Sequence, residues 1–455
     1  MVLFSRKARM AIIVDPPQLS TILKKPETLQ KLLQMRVDSE LQDVIQKANE
    51  DYIHWHRFRY APIPKEFSHE EAWALVKLGR HANLKKAPFT DKSGTPFLYW
   101  IPDGLQKDLH DVDVWAGGNF VTDTSSALPG REQFVIRSLM DEAIASSQLE
   151  GAATTTQKAK DLLRTGRKPK DRSEQMILNN WETMQFIREK RKTNLTKDFI
   201  TDIHQRITEA TLDHPDDSGR LRTSNNIIVE YQGETVHIPP DFSTLPERLD
   251  AFCEFANKDG DSKWIHPVIK AAMLHFWLAY DHPFHDGNGR TARALMYWYL
   301  LSRDYLLFEY LAISRYMQRA PGQYVRAYLH TETDDNDLTY FLFYNLKATK
   351  QACEEAQSYI QRKQKEMIGL SAALRKYPGL NLRQRSLLSH AIQHPHETYT
   401  FDAHRNAHGV VYQTARNDLL DLADKGFLKK EKRGKEFVFV QADKMMDKLR
   451  SVVSI

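Results

Sequence analysis

Between positions 282 and 293 the chain reads His-Pro-Phe-His-Asp-Gly-Asn-Gly-Arg-Thr-Ala-Arg, a run that holds a proton acceptor, a hard metal ligand, an anion cradle and two cations. His282 has the side chain best suited to take up a proton near neutral pH. Asp286 is an oxygen ligand suited to Mg²⁺ beside phosphate groups. Gly287 and Gly289, either side of Asn288, allow a tight turn and close backbone approach, and a helix starting there aims its free N–H groups at an anion. Arg290 and Arg293, three apart, fall on one side of that helix, where each guanidinium can add charge-assisted hydrogen bonds to phosphate oxygens. The plain alternative is a helix junction in which His282 and Asp286 act as caps and the arginines pair with surface carboxylates.

These residues need two helices to hold them. The apolar spacing of Ile269, Met273, Phe276 and Trp277 predicts one helix starting at Pro267, a residue tolerated in a first turn, and Leu295, Trp298 and Tyr299 predict the next. From Ser138 to Leu346 the pattern is mostly helical: Thr196 is the expected N-cap of a helix through Phe199, Ile200, Ile203 and Ile207, and Leu249, Phe252, Cys253 and Ala256 mark another. One segment differs. Ile227–Glu230 and Thr235–Ile238 flank Tyr231-Gln-Gly-Glu234, which predicts a β-hairpin projecting from the helices. Upstream, a helix with the apolar face Ile136, Met140, Ala143 and Ile144 is expected to end at Ser146-Ser-Gln-Leu-Glu150-Gly151.

At 455 residues the chain is expected to form more than one folding unit, and 41% hydrophobic with 27% charged residues is the composition of an ordinary globular protein. The net charge of +5 is compatible with nucleotide or nucleic acid but demands neither. Cys253 and Cys353 have no CxxC neighbour, so neither a disulfide framework nor a thiolate metal site is expected, and a reducing cytoplasm fits best. The apolar run behind Arg6, Lys7 and Arg9 is too short for a signal-peptide core, and no stretch approaches the roughly 20 apolar residues of a membrane span. The pairs His54/His56 and His394/His396 lack further ligands at metal spacing and read as core or surface histidines.

Taken together, residues 282–293 resemble the signature of the Fic family, HPFx[DE]GNGRxxR, at every defined position. The resemblance implies a mainly α fold, a Fic-type helical bundle with a β-hairpin flap. Fic proteins transfer a nucleotide monophosphate, usually AMP from ATP, to a Ser, Thr or Tyr hydroxyl of a target protein. By this resemblance His282 deprotonates the hydroxyl and Asp286 holds Mg²⁺ on the α and β phosphates. Gly287, Asn288 and Gly289 cradle those phosphates, Arg290 holds the leaving β phosphate and Arg293 orients the γ phosphate. A related branch that phosphorylates its targets has lysine at the second glycine, so Gly289 points to AMP transfer.

Two further segments acquire meaning beside that motif. A helix ending in Glu-Gly is by itself ordinary C-cap chemistry, but Ser146 to Gly151 resembles the inhibitory [ST]xxxE[GN] sequence of Fic proteins. There the glutamate, here Glu150, pairs with the second motif arginine, here Arg293, and obstructs the γ phosphate. Gly219-Arg-Leu-Arg222 followed by residues 226–240 resembles the family's flap, which clamps the target's modified segment. Ile227, Ile228, Val229 and Glu230 are its docking strand, whose free edge suits an extended peptide; the alternative is a hairpin that only packs on the bundle.

The division expected is an N-terminal segment 1–116, a catalytic core 117–350 with its inhibitory helix, a helical connector 351–378 closed by Pro378-Gly379, and residues 379–455. That last unit reads as helices at Leu382–Ile392, Phe401–Ala407 and Val411–Ala423 with strands at Phe427-Leu428 and Phe437–Val440, and it resembles a winged helix. Tyr412, Gln413, Arg416 and Asn417 could enter a DNA groove while Lys432, Arg433 and Lys435 touch phosphates; the alternative is a protein-binding or oligomer-forming unit, since Asp418, Asp421 and Asp424 dilute the basic face. The expected function is an autoinhibited AMP transferase with ATP and Mg²⁺, acting on a target protein and on itself. The alternatives are a DNA-binding regulator whose Fic core senses nucleotide, and an enzyme that also removes AMP.

Overall fold

The computed structural model describes residues 13–24, 26–116, 131–258, 264–394, 397–433 and 436–453. The protein is mainly helical, and these residues fall into two compact units. The first takes in residues up to 116 and Arg137–Cys353; the second takes in residues 131–136 and those from Glu354 on.

The first unit opens with α1 (Leu19–Leu23), α2 (Pro26–Met35), α3 (Ser39–Glu50), α4 (Trp55–Phe58) and α5 (His69–His81), gathered around Trp55, Phe58 and Trp73. A capping box between Ser68 and Glu71 starts α5. Pro96 opens β2 (Pro96–Tyr99), which pairs with β1 (Lys85–Thr90); Pro88 lies within β1, where the register shifts between Lys86 and Thr90, and Pro102 precedes α6 (Asp103–Ala116). This segment is joined to the rest of its unit by buried polar contacts. Lys77 Nζ lies 2.7 Å from Asp334 Oδ1, and the fully buried Arg80 donates to Tyr340 Oη at 2.6 Å. His54 is buried and stacked on His330 with ring centroids 4.0 Å apart, so it is a core histidine.

The bundle follows as α7 (Arg131–Leu149), α8 (Thr156–Thr165), α9 (Arg172–Glu189), α10 (Lys197–Thr208), α11 (Leu245–Asn257), α12 (Pro267–Asp281), α13 (Asn288–Ser302), α14 (Ile313–Arg319), α15 (Pro321–Thr333) and α16 (Thr339–Lys376). Thr196 caps α10 by accepting the Phe199 N–H at 3.1 Å, and Pro267 stands in the first turn of α12. Helices α12 and α13 pack on one another, and α9 and α10 pack on α13. Both α12 and α13 are buried on nearly every side, which explains their all-round apolar sequence. One expectation is corrected on α7. Of the expected face, Met140, Ala143 and Ile144 are buried, but Ile136 is 38% exposed, and Val135 and Leu139 are buried beside them instead.

The expected hairpin is present as β3 (Val229–Tyr231) and β4 (Glu234–His237), with Ile227 and Ile228 just before it. Gln232 and Gly233 both have positive φ, 56° and 88°, the turn whose twist matches that of paired strands.

In the second unit α17 (Leu382–Gln393), α18 (Phe401–His408) and α19 (Tyr412–Asp424) are followed by the antiparallel pair β5 (Leu428–Arg433) and β6 (Glu436–Gln441), with Tyr399 bridging to Phe439. A last helix, α20 (Met445–Val453), was not foreseen. Leu370, Ala373 and Leu374, at the end of α16, sit in the same core as Leu388, Leu419, Phe427, Phe439 and Leu449. Asp418 does not dilute a basic face. It is 5% exposed and bound by Arg383 Nε at 2.8 Å and His404 Nε2 at 3.2 Å. Lys435 and His396 lie outside the described residues.

Candidate functional site

The site forms where α12 stops and α13 starts. The His282 N–H still bonds to Leu278 O at 3.0 Å, but His282 itself has φ 47°, a left-handed conformation that ends the helix. Asn288 then folds the loop on itself, its side chain accepting from Phe284 N at 2.9 Å and donating to Phe284 O at 2.8 Å. Gly287, at φ 81°, is the N-cap of α13, and a Cβ there would stand 2.7 Å from Thr208 Cγ2, so no other residue fits. No side chain caps α13, which leaves its first N–H groups open to an anion.

The two arginines point inward rather than to surface carboxylates. Arg290 is 1% exposed, with Nη1 bonded to Ile207 O at 3.0 Å and both Nε and Nη2 without a partner. Arg293, also 1% exposed, donates to Ser146 Oγ and Ser146 O at 2.9 Å each, and to Glu150 Oε1 at 2.8 Å. Burial works most strongly against the Arg293 charge, but Glu150, Tyr324 and Glu142 together outweigh it and raise the guanidinium above its ordinary range. Gly289 makes this contact possible, because a Cβ there would lie 2.1 Å from Glu150 Oε1. The end of α7 is itself held: Ser147 Oγ donates to Met176 O at 3.2 Å, and Gln148 reaches Thr154 O at 2.7 Å.

His282 stands partly exposed on the wall of a cavity of about 120 Å³ that is also lined by Glu150, Val229, Glu230, Tyr231, Gly289 and Tyr324. Its Nδ1 faces Ala279 O at 3.3 Å, which makes Nδ1 the protonated nitrogen and leaves the Nε2 lone pair free. Poor solvation, with His237 and Arg222 nearby, pushes its titration down to about 3, so the ring is a neutral proton acceptor. Burial opposes the charge on Asp286, but Arg290, the Gly287 N–H and Arg172 hold its carboxyl below the usual range. Ile228 is 44% exposed, while Val229 and Glu230 face the cavity.

With that geometry in view, the family model described as Fic/DOC matches residues 194–300. The chain carries a Fic domain. The protein adenylyltransferase Fic of Nematostella vectensis is 37% identical over 103 residues, 23% of this chain and 22% of its own length. That of Drosophila melanogaster is 35% identical over 116 residues, 25% and 21% of the two chains. The chain thus aligns with about a fifth of the length of these curated relatives. A solved Fic family protein from Desulfovibrio desulfuricans shares the fold, with a TM-score of 0.53 at 16% identity over 79% of this chain and 99% of that one.

The matched part of the Fic domain includes the loop, the hairpin and α10, and leaves out Ser146 and Glu150. It also contains a residue that the sequence reading passed over. His204, buried on α10, donates from Nε2 to Asp286 O at 2.8 Å, accepts the Gly219 N–H on Nδ1 at 3.0 Å, and stacks on Phe284 at 3.7 Å. A histidine on the apolar face set by Ile200, Ile203 and Ile207 was the available signal. His237 was missed as well. It ties β4 to the end of α12 through Tyr280 O at 2.7 Å and to α15 through Glu332 at 2.9 Å.

Proposed function

We propose that this Fic domain protein transfers AMP from ATP to a hydroxyl group of a protein, and that Glu150 restrains the transfer. The observation that carries this reading is the state of the two motif arginines. Arg290 keeps two buried N–H donors without acceptors beside an uncapped helix N-terminus, and Arg293 is occupied by Glu150. Leaving such donors unmet costs about 1–3 kcal/mol each, more for charged groups, and phosphate oxygens are the acceptors that would satisfy them.

In the transfer, the hydroxyl oxygen of the target attacks the α phosphorus and its proton passes to His282 Nε2. The bond from the α phosphorus to the β-phosphate oxygen breaks, and pyrophosphate leaves. Arg290 and the first turn of α13 would stabilise charge on the leaving group, which is most of the catalytic work in such chemistry. Asp286 fits a Mg²⁺ site: its carboxyl is kept charged, and no group of three or more His, Cys, Asp or Glu forms a protein-only cage among the described residues. Mg²⁺ characteristically takes one or two carboxylates plus phosphate oxygens, and when bound it neutralises charge on the phosphates. The β3–β4 hairpin, walling the cavity beside His282, is read as the docking strand for the target segment, this protein's own chain included.

We read the second unit as a winged helix, because three helices precede an antiparallel hairpin. Tyr412, Gln413, Arg416 and Asn417 share the exposed face of α19, which keeps duplex DNA as its candidate partner. Fluorescence anisotropy with labelled duplex at two salt concentrations tests this, salt-sensitive binding being the expected result. The enzymatic reading is tested by incubating cell lysate with the purified protein and ATP labelled at the α phosphate. Labelled protein bands that vanish with His282→Ala are expected; labelling equal in both chains would contradict it.

A further inference from the structure

Arg222 is 3% exposed, and each of its hydrogen bonds goes to a carbonyl or amide oxygen. Nε donates to His282 O at 2.9 Å, Nη1 to Ser224 O at 3.1 Å and to Asn225 Oδ1 at 3.2 Å, and Nη2 to Pro240 O and, at 3.4 Å, to Asp281 O. Its own N–H bonds to Pro283 O at 2.9 Å. Three consecutive carbonyls of the catalytic loop therefore meet one residue, together with both stems of the hairpin. Asn225, which also accepts from Arg222, closes the hairpin base by donating to Asp241 at 2.6 Å and accepting from Phe242 N at 2.9 Å.

A buried cation without a bonded carboxylate is an expensive way to hold a hairpin, and burial does depress the Arg222 guanidinium. What it achieves is geometric. The left-handed backbone of His282 is one that a residue with a side chain rarely adopts, and it persists only where its surroundings over-determine it. Arg222 grips the carbonyl of that residue and of its two neighbours. The rigid guanidinium fork reaches loop and hairpin stems at once, which a single ammonium cannot do.

We propose that Arg222 is a positioning residue that sets the register between a peptide docked on the β3–β4 hairpin and the His282 ring, so that the choice of modified hydroxyl depends on it. This rests on the reading of the hairpin as the docking strand. The test compares the full chain with Arg222→Lys for ATP affinity, transfer rate and the distribution of modified hydroxyls found by tandem mass spectrometry. The His282 imidazole resonances, assigned by their loss in His282→Ala, are recorded without nucleotide. Arg222→Lys is expected to leave ATP affinity within about threefold and to slow transfer about ten- to a hundredfold, the scale of a misplacement near 1 Å. The modified sites and the His282 resonances should both shift. Equal losses of rate and ATP affinity with an unchanged site distribution would overturn the proposal in favour of a purely structural role. If Arg222→Lys does not fold, Asn225→Ala removes one hairpin-side anchor, and there an unchanged site distribution overturns it. Absence of transfer in every chain would refute the proposed function instead, and the nucleotide-free resonances then decide for or against the positioning role alone.

Discussion

Replacing Glu150 by glycine should accelerate AMP transfer if, as proposed, the carboxylate and the γ phosphate compete for one guanidinium. The contact removed is a single charge-assisted hydrogen bond of 2.8 Å between side chains that are 11% and 1% exposed, so solvent screens it little. Such a bond contributes about 1.5–3 kcal/mol, and each 1.4 kcal/mol is about tenfold, which gives a gain of about ten- to a hundredfold. Arg293 keeps both bonds to Ser146 in the variant, so the phosphate anchor stays in place. Glu150→Gln retains shape and one acceptor but loses the charge that roughly doubles the bond, and its rate should fall between parent and Glu150→Gly. The assay is incorporation of α-phosphate label into lysate protein and into the chain itself at equal ATP and Mg²⁺. Combining Glu150→Gly with Arg293→Ala should erase most of the gain, since the γ phosphate then has no anchor. A Glu150→Gly chain no faster than the parent, or one whose gain survives without Arg293, would refute the competition.

Other outcomes follow from the same geometry. His282→Ala should lower transfer by about a hundred- to ten-thousand-fold while a fluorescent ATP analogue binds as before, since the proposed phosphate contacts lie on α13; activity within a few-fold of the parent would contradict its role. Because the His282 titration lies near 3 instead of 6.5, the base stays unprotonated as pH falls from 8 to 6, so the transfer rate should show no loss centred near 6.5. The sign for stability is opposite to that of a paired histidine: the contribution of neutral His282 is complete above pH 6.5 and declines as pH falls towards about 3, which acid denaturation at fixed salt can follow. A chain ending at Cys353 should melt cooperatively and retain transfer. One cut at Gly379 leaves Leu370, Ala373 and Leu374 uncovered and should aggregate more readily. A gradual melt of the chain ending at Cys353 would refute the division into units.

What could be read from the sequence was what is written locally. The chemistry of His282 to Arg293 is contiguous, the turn needs Gly287 where it stands, and Thr196 and Pro267 announce helix starts by their own side chains. The hairpin was legible because Gln232-Gly233 sits between two short β-runs. The contacts that complete the site are long-range, and spacing along the chain does not show them. His204 reaches a loop carbonyl 82 positions away and Arg222 one 60 positions away. On α7 the spacing did not decide whether Val135 or Ile136 is buried, because both are β-branched apolar residues. In the second unit, Asp418 looked like surface charge because its partners Arg383 and His404 lie on other helices.

The central claim is that AMP, rather than a phosphoryl group, leaves ATP for a protein hydroxyl under the control of His282. It is tested most directly by offering the Glu150→Gly chain two samples of ATP, one labelled at the α phosphate and one at the γ phosphate. Tandem mass spectrometry of the modified protein accompanies the two labellings. Label from the α position alone, with an AMP-sized increment on Ser, Thr or Tyr that His282→Ala abolishes, is the predicted result. Label from the γ position, or no increment at all, would contradict the account.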